Sequence, residues 1–361
     1  MKKIAVLTSG GDSPGMNAAL RAIAKLAASK GVQVMGVLEG YEGLMDGNFR
    51  ELTKTLSDGT VTVDVEVDAA GNQGGTMIGS ARSLRFREDA GRAQANMQMV
   101  KHGLEGLIVI GGNGSLTGAH IFSGESGLPV IGIPGSIDND IGCTALALGV
   151  DTALNTIVHA CDQISDTARA HRRAFVVEVM GRDCGYLAMA SAIAVAADAV
   201  MIREQGKSEE QLVADLMSVI RSGSARGKRR ILIIKAEGVQ MPCTRLVRMA
   251  EEAMRADTPA VEIRATVLGH VVRGGNPSYQ DRAIAGRLGF AAVASLLRGL
   301  SDSMVGWLPP VSGGIPTEDS SVQLFSLDRV LVETAAVIDG SSPVTQRRLA
   351  LMQKASGVLA L

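Results

Sequence analysis

Residues 107–115, Leu-Ile-Val-Ile-Gly-Gly-Asn-Gly-Ser, run from an uninterrupted apolar segment straight into a glycine-rich turn. Residues 130–140, Val-Ile-Gly-Ile-Pro-Gly-Ser-Ile-Asp-Asn-Asp, repeat that arrangement and add two carboxylates, Asp138 and Asp140. Such apolar runs are typical of parallel strands buried on both faces, and open α/β sheets bind ligands at the carboxyl ends of their strands. Backbone N–H groups and paired carboxylates at one edge indicate phosphate and metal chemistry, a combination that favours phosphoryl transfer.

The amino-terminal residues predict a third strand exit of this kind. An apolar strand pattern over 3–8 is followed by the turn 9–15, Ser-Gly-Gly-Asp-Ser-Pro-Gly, and by a helical pattern over 16–30. Glycines let the backbone approach an anion closely, and helix N-termini favour phosphate. The turn matches neither the Walker P-loop nor the dinucleotide motif. An ordinary strand-to-helix turn would show the same pattern, so this segment alone leaves its ligand open.

Strand and helix patterns alternate along the whole chain, which predicts βαβ units. The predicted strands cover 3–8, 32–38, 107–110, 130–133, 174–179, 199–202, 230–235 and 261–267. The predicted helices cover 16–30, 88–102, 150–170, 184–196, 207–222, 243–256, 280–299 and 344–357. Within 52–74, the alternating segment 61–67 predicts an extra hairpin or an extended loop.

Composition excludes several functional classes. The 361 residues carry a net charge of -1, so nothing in the charge balance suggests a nucleic-acid surface, and no nucleic-acid partner is expected. The four cysteines lack metal-type spacing, and no signal-peptide pattern is present, so we expect a cytoplasmic protein with reduced thiols. The apolar stretch 187–200 is too short to cross a membrane, so no membrane association is expected.

Six motifs together resemble the 6-phosphofructokinase family, in particular its bacterial ATP-dependent group. They lie at 8–17, 79–82, 111–119, 134–140, 176–182 and 264–275. A lone Gly-Gly-x-Gly-Ser also suits NAD kinases and diacylglycerol kinases, but Met180-Gly181-Arg182 together with 269–275 argues against both.

The resemblance implies two similar α/β domains with mainly parallel, helix-covered sheets and the active site between them. The expected ATP-binding domain covers 1–149 plus about 270–325, and the fructose 6-phosphate domain covers 150–269 plus about 326–361. The expected assembly is a homotetramer with shared active sites.

The resemblance also implies the catalytic roles. Asp138 matches the general base that takes the proton of the sugar hydroxyl, and Asp140 the second carboxylate. Ser136 matches a hydroxyl that contacts the transferred phosphoryl group or the sugar. Arg182 matches an arginine beside the transferred group. As a turn residue, Asp138 could instead serve only as a cap.

The remaining site residues divide by ligand. Sugar contacts are expected from Met180, Gly181 and Glu237. A cluster for the sugar 6-phosphate is expected from Arg173, Arg264, His270 and Arg273, of which Arg173 and Arg264 match residues that a neighbouring subunit supplies. ATP contacts are expected from Gly11, Arg82, Gly112, Asn113, Gly114 and Ser115. Tyr41 is expected either to flank the adenine or to pack in the core.

The expected cofactor is Mg²⁺, held by Asp138 and Asp140 and weakly by Asn113. Asn113 stands where the family usually has a metal-linked Asp, and an amide oxygen brings no charge. Small residues at Gly114 and Gly135, where pyrophosphate-using relatives carry Asp and Lys, favour ATP as donor. The alternatives are another donor, such as pyrophosphate, and a catalytically weakened regulatory subunit. This chain resembles the effector site of the bacterial enzymes only in part, at Arg21, Arg226 and Lys228.

Overall fold

A computed structural model describes residues 1–255, 261–307, 313–318 and 322–359 of the chain. The chain forms two compact units by its internal contacts. The first comprises Met1–Thr152 and Arg273–Val337, and the second comprises Ala153–Val272 and Ile338–Leu361. Residues 150–152 and 326–337, which were predicted for the second domain, belong by these contacts to the first unit, and residues 270–272, predicted for the first domain, belong to the second.

The first unit is built on an eight-stranded sheet in the order β13-β14-β12-β7-β6-β1-β2-β3 among the described residues. Strands β7, β6, β1 and β2 are parallel neighbours, and β3, β13 and β14 pair antiparallel at the two sides. The strands are β1 (Lys3–Ser9), β2 (Gln33–Val37), β3 (Phe49–Glu51), β6 (Leu107–Gly111), β7 (Val130–Pro134), β12 (Ser303–Trp307), β13 (Ile315–Pro316) and β14 (Val322–Ser326), with a separate hairpin of β4 (Thr53–Thr55) and β5 (Val61–Val63).

Helices cover this sheet because each has an apolar face. In α1, Leu20 and Ile23 belong to the same buried core as Ile284 and Leu288 of α10. The helices that begin in the first unit are α1 (Met16–Ser29), α2 (Gly40–Asp46), α3 (Val65–Ala70), α4 (Asp89–Lys101), α5 (Asn113–Ser126), α6 (Val150–His171), α10 (Tyr279–Leu297) and α11 (Leu327–Asp339).

The second unit has a four-stranded, all-parallel sheet in the order β11-β8-β10-β9. Its strands are β8 (Ala174–Val179), β9 (Ala199–Met201), β10 (Ile231–Ala236) and β11 (Ile263–Val267). Its further helices are α7 (Tyr186–Ala194), α8 (Glu209–Ala225), α9 (Cys243–Met254) and α12 (Pro343–Leu359). Lys235 lies inside this unit, where its ammonium donates to the Glu178 carboxylate at 3.0 Å and to the carbonyl of Val239 at 3.0 Å.

The strand patterns of the sequence are confirmed, and so is the α/β fold with parallel sheets. Helix α5 is absent from the sequence prediction because its glycines lower helix propensity, while the burial of Leu116, Ala119 and Phe122 on one face stabilises it.

The region 52–74 contains the predicted hairpin, since β4 and β5 pair antiparallel. The prediction of extended structure over 65–67 is wrong, because helix α3 begins at Val65. Asp64 caps that helix by accepting from the Glu66 N–H at 2.9 Å, and Val67 and Ala70 on one face are buried.

Two further predictions from the sequence concern membrane-spanning helices and the state of the cysteines. None of their helices combines the length and apolar character that a membrane crossing requires. All four cysteines are free thiols and buried, and burial raises the pKa of the Cys243 thiol to about 12, as for structural rather than reactive cysteines.

Candidate active site

The two glycine-rich exits seen in the sequence lie side by side. Gly111 of β6 pairs with Pro134 of β7, and the Gly135 N–H donates to the Gly111 carbonyl at 2.9 Å. A Cβ on Gly112 would lie 3.9 Å from the Cβ of Ser136. Gly112, predicted to bind the donor phosphates, and Ser136, in the predicted catalytic motif, therefore lie together at one edge of the first sheet.

The exit of β1 joins them, because β1 is the other neighbour of β6 and Ser9 pairs with Gly111. The chain winds from β1 to β2 on one side and continues through β6 and β7 on the other, so the sheet reverses its order between β1 and β6. Ligands of open α/β sheets bind at such a point. A Cβ at Gly111 would lie 2.6 Å from the Ser9 carbonyl oxygen, which explains the need for glycine there.

The start of α5 faces this edge with Gly112 as its N-cap residue. Ser115 is buried, Asn113 is half-buried, and Gly114 is exposed. Apart from its own helix backbone and chain neighbours, no described residue lies within 4 Å of the position that a Gly114 Cβ would take. Uncovered backbone N–H groups at a helix start suit the binding of an anion.

The loop 79–82 is held against the turn after β1. The Ser80 hydroxyl donates to the Gly10 carbonyl at 2.7 Å, and the Gly10 N–H donates to the Ala81 carbonyl at 3.4 Å. These bonds bring Gly11 and the exposed Arg82 into the same part of the first unit as the start of α5.

Tyr41 packs against the start of α5. Its hydroxyl donates to the Ser115 carbonyl at 2.7 Å, and its ring stacks on Phe86 at 3.9 Å between centroids. Burial raises the pKa of the Tyr41 hydroxyl. Of the two interpretations of Tyr41, the structure shows the packing one.

The loop after β7 is held by Asn139. This residue adopts a left-handed conformation, with φ of 53°, which Asn tolerates better than most residues. Its side chain donates to the Ala145 carbonyl at 3.1 Å and accepts from the Ala147 N–H at 3.1 Å. Asp138, next to it, is buried, and its N–H donates to the Ser136 hydroxyl at 3.2 Å. Asp140 is half-buried.

Arg273 lies in the first unit beside Asp138. Its guanidinium donates to the Asp12 carbonyl at 3.1 Å and approaches Asp138 Oδ1 at 3.8 Å. A Cβ on Gly11 would lie 2.8 Å from the Arg273 guanidinium. The cation therefore links the turn after β1 to the predicted general base.

In the second unit, Glu237 organises the segment that follows β8. Its carboxylate accepts from the Gly181 N–H at 3.1 Å and from the Arg182 N–H at 2.6 Å. Arg182 is exposed in a left-handed conformation, with φ of 52°. The buried Met180 precedes it. These four predicted residues lie at the carboxyl ends of β8 and β10.

The four residues predicted to bind the sugar 6-phosphate lie in two places. His270 and Arg273 belong to the same short 3-10 helix, Gly269–Arg273, which follows the carboxyl end of β11. Arg173 and Arg264 lie instead at the amino ends of β8 and β11, where both pair with Glu262. Strand β8 separates the two edges by about 16 Å at ~3.3 Å per residue. Within one chain, Arg173 and Arg264 therefore lie apart from Arg182 and His270.

A family model described as phosphofructokinase matches residues 3–296. The chain belongs to the phosphofructokinase family. Relatives named ATP-dependent 6-phosphofructokinase include one from Brevibacillus brevis, 47% identical over 306 residues, covering 85% of this chain and 89% of the relative. Another, from Thermotoga neapolitana, is 42% identical over 340 residues, covering 94% of this chain and 100% of the relative.

Solved structures of phosphofructokinases share the fold. The phosphofructokinase of Saccharomyces cerevisiae superposes with a TM-score of 0.84 at 32% identity over 99% of this chain. This chain spans only 50% of the yeast chain. A pyrophosphate-dependent phosphofructokinase from Marinobacter aquaeolei superposes with a TM-score of 0.73 at 20% identity over 91% of this chain and 84% of that one, a likeness of fold alone.

Some residues that hold predicted site residues or their neighbouring segments in place are missing from the sequence prediction. Asn139 could have been found, since Asn within a turn motif is a common left-handed residue. Glu262 and Asp281 could not, because their partners, Arg173 and Thr152, are distant in sequence. Only the folded chain brings such groups together.

The donor set for Mg²⁺ is small. Among the described residues, no group of three or more His, Cys, Asp and Glu side chains could hold a metal ion by itself. Mg²⁺ in phosphoryl-transfer enzymes is usually held by one or two carboxylates together with substrate phosphates and water. Asp138 and Asp140 fit that chemistry.

The turn at Gly181 yields a prediction about stability. Gly181 has a φ of 142°, and an added Cβ would lie 2.7 Å from the Cys184 carbonyl oxygen. We expect Gly181→Ala to lower the free energy of unfolding by about 3 kcal/mol or more, from backbone strain and this clash. Gly206→Ala is the control, because Gly206 also has a positive φ but faces open space, and we expect it to cost only about 1–2 kcal/mol. Urea unfolding followed by circular dichroism measures both, and equal losses would contradict the steric argument.

Proposed function

We propose that this chain is an ATP-dependent 6-phosphofructokinase, which transfers the γ-phosphoryl group of ATP to the 1-hydroxyl of fructose 6-phosphate. The products are fructose 1,6-bisphosphate and ADP. The observation that carries the proposal is the meeting of three strand exits at one edge, two glycine-rich and one carrying Asp138. The names of the relatives, at 40–47% identity, support ATP as the donor. The open space at Gly114 also supports it, since a bulky donor needs that room.

In the proposed reaction, the first unit binds ATP and the second binds most of the sugar phosphate. Gly11, Arg82, Gly112, Gly114 and Ser115 hold the donor phosphates through backbone N–H groups and a guanidinium. Bound Mg²⁺, held by Asp138 and Asp140 and weakly by Asn113, would neutralise charge on the phosphates.

The chemical step uses this chain's own groups. The Asp138 carboxylate accepts the proton of the sugar 1-hydroxyl while that oxygen bonds to the γ-phosphorus and the bond to ADP breaks. Ser136 orients the reacting groups. The Arg182 guanidinium stabilises charge on the phosphoryl group in transfer. Met180, Gly181 and Glu237 bind the sugar, and His270 and Arg273 bind its 6-phosphate.

We further propose a homotetramer with shared active sites, working in the cytoplasm. The position of Arg173 and Arg264 at the opposite sheet edge from Arg182 supports sharing, because these cations would serve a neighbouring copy. The four free, buried cysteines suit a reducing compartment.

Asp138→Asn tests the proposed chemistry. We expect kcat to fall by at least about 10²-fold while fructose 6-phosphate binding stays nearly unchanged, because a general base acts mainly in the transition state. A coupled assay with ATP and fructose 6-phosphate measures kcat, and calorimetry measures sugar-phosphate binding. A kcat close to that of the unmodified chain would remove Asp138 as the base. Activity of the unmodified chain with pyrophosphate but not ATP would overturn the donor assignment.

Asn113→Asp tests the weak metal position. An added carboxylate should strengthen Mg²⁺ binding by about 1–2 kcal/mol, and so lower the Mg²⁺ concentration for half-saturation about 5–30-fold. Calorimetric titration of Mg²⁺ in the presence of a non-hydrolysable ATP analogue measures it directly, beside the activity titration. Asn48→Asp, which adds the same charge at an exposed position of the first unit, is the control and should shift nothing. A higher Mg²⁺ requirement in Asn113→Asp would contradict the metal role of this position.

Arg264→Ala tests the shared site. Loss of a charge-assisted phosphate contact costs about 1.5–3 kcal/mol, so KM for fructose 6-phosphate should rise about 10–150-fold. The control is Arg248→Ala, at another exposed arginine of the second unit, which should leave this KM unchanged. Hybrids of Arg264→Ala and Asp138→Ala chains should regain activity, because some sites would combine an intact Asp138 with an intact Arg264. Hybrids of verified composition that stay inactive would show that each site is built from one chain.

A further inference from the structure

Asp281 is a buried carboxylate that no role described so far includes. It lies in the first turn of α10 and is 0% exposed. Its Oδ1 accepts from the Gly149 N–H at 2.8 Å, and its Oδ2 accepts from the Thr152 N–H at 2.8 Å and the Thr152 hydroxyl at 2.5 Å. The carboxylate therefore caps the start of α6 rather than that of its own helix.

Hydrogen bonds run in both directions between the start of α6 and the start of α10. Ser278 caps α10 by accepting from the Asp281 N–H at 3.1 Å, and its own N–H donates to the Thr152 hydroxyl at 2.9 Å. The Ser278 hydroxyl donates to Asp151 at 2.6 Å. Burial raises the pKa of Asp281, while the bonds from Thr152 and Gly149 oppose that shift. These contacts fix the position of Gly149.

Gly149 closes the loop that carries Asp138. The preceding residue, Leu148, donates its N–H to the Pro134 carbonyl at 2.9 Å and accepts from the Ser136 N–H at 3.1 Å. A Cβ on Gly149 would lie 3.2 Å from Ile137, next to Asp138. The hydrogen bonds of Leu148 thus join the two ends of the loop. Asp281, in α10, accepts a hydrogen bond from the next residue, Gly149.

The same residue also lies beside the turn after β1. A Cβ on Gly15, which precedes α1, would lie 3.6 Å from both the Asp281 Cβ and its carbonyl oxygen. Ser278, which α10 needs as its cap, lies shortly after Arg273 in the chain. Asp281 therefore stands where the Asp138 loop, the turn after β1 and the segment from Arg273 converge in the first unit.

We propose that Asp281 is a positioning residue for Asp138: it holds the closing end of the catalytic loop in place by accepting hydrogen bonds from Gly149 and Thr152. This inference rests on the proposed function, in which Asp138 is the general base. A displacement of reacting groups by about 1 Å can cost about 10²-fold in rate. The loss of one of these bonds should therefore affect the chemical step rather than substrate binding.

Asp281→Asn is the main variant, because it keeps the side-chain volume but replaces one acceptor oxygen with a donor. We expect kcat per folded enzyme to fall about 10–100-fold, with KM for ATP and for fructose 6-phosphate within about twofold. The folded fraction is measured by circular dichroism and by gel filtration of the full chain. A kcat that falls only in proportion to the folded fraction would reduce Asp281 to a structural cap and overturn the proposal.

The decisive readout is a double-mutant cycle with Asp138→Asn. If Asp281 acts through Asp138, Asp281→Asn should change the residual kcat of Asp138→Asn by less than about threefold, since the group being positioned is already lost. The same 10–100-fold loss in both backgrounds would overturn the proposal. Failure of the proposed function is distinguishable, because it would appear in Asp138→Asn alone as a nearly unchanged kcat.

Two matched comparisons accompany the cycle. Asp151→Asn removes a carboxylate charge from the same helix start but leaves an acceptor oxygen for Ser278, so kcat should be unchanged. Thr152→Ser keeps the hydroxyl and should retain kcat, whereas Thr152→Val loses it and should lower kcat about 3–10-fold, again only when Asp138 is intact. Should Asp281→Asn fail to fold, the Thr152 pair decides, and equal kcat for Thr152→Val and Thr152→Ser would overturn the proposal.

Discussion

Parallel pairing of β1, β6 and β7 is the constraint on which the first unit depends. Parallel strands all end at one edge, so the turns that follow them must lie side by side. Close pairing leaves no room for side chains at Gly111, where a Cβ would meet the Ser9 carbonyl. Helix α5 begins directly after this crowded strand end, with Gly112 as its N-cap residue, and a helix N-terminus at such an edge favours phosphate.

Loops at the carboxyl ends of the strands in both sheets keep their shape because side-chain acceptors bind their backbone N–H groups. Asn139 does so within its own loop, Glu237 does so for Gly181 and Arg182, and Asp281 does so for Gly149. A buried N–H without a partner costs about 1–3 kcal/mol, so each acceptor stabilises one backbone path over others. Two of these acceptors are carboxylates. The half-buried Glu237 receives two hydrogen bonds, and the buried Asp281 receives three, which offset the cost of burying its charge.

Cationic groups are distributed over both edges of the second sheet. Arg182 and His270 follow the carboxyl ends of their strands, while Arg173 and Arg264 share Glu262 at the amino ends. The shared Glu262 carboxylate offsets the repulsion between these two neighbouring guanidinium groups. A strand of six residues keeps the two sets apart, so a single chain presents two separate cationic surfaces.

The sequence alone determined the α/β class, most strand positions and the glycine-rich exits, because apolar runs and turn glycines are local patterns. The candidate base Asp138 followed from the resemblance of residues 134–140 to the family motif. Only the tertiary structure decided that β1, β6 and β7 are neighbours, that Tyr41 packs under α5, that 65–70 is a helix, and that Arg264 lies far from Arg182. It also revealed Asp281, whose hydrogen-bond partners Thr152 and Gly149 lie 129 and 132 residues earlier in the chain. Strand order and long-range hydrogen bonds arise from how the whole core packs, and no local pattern of residues encodes them.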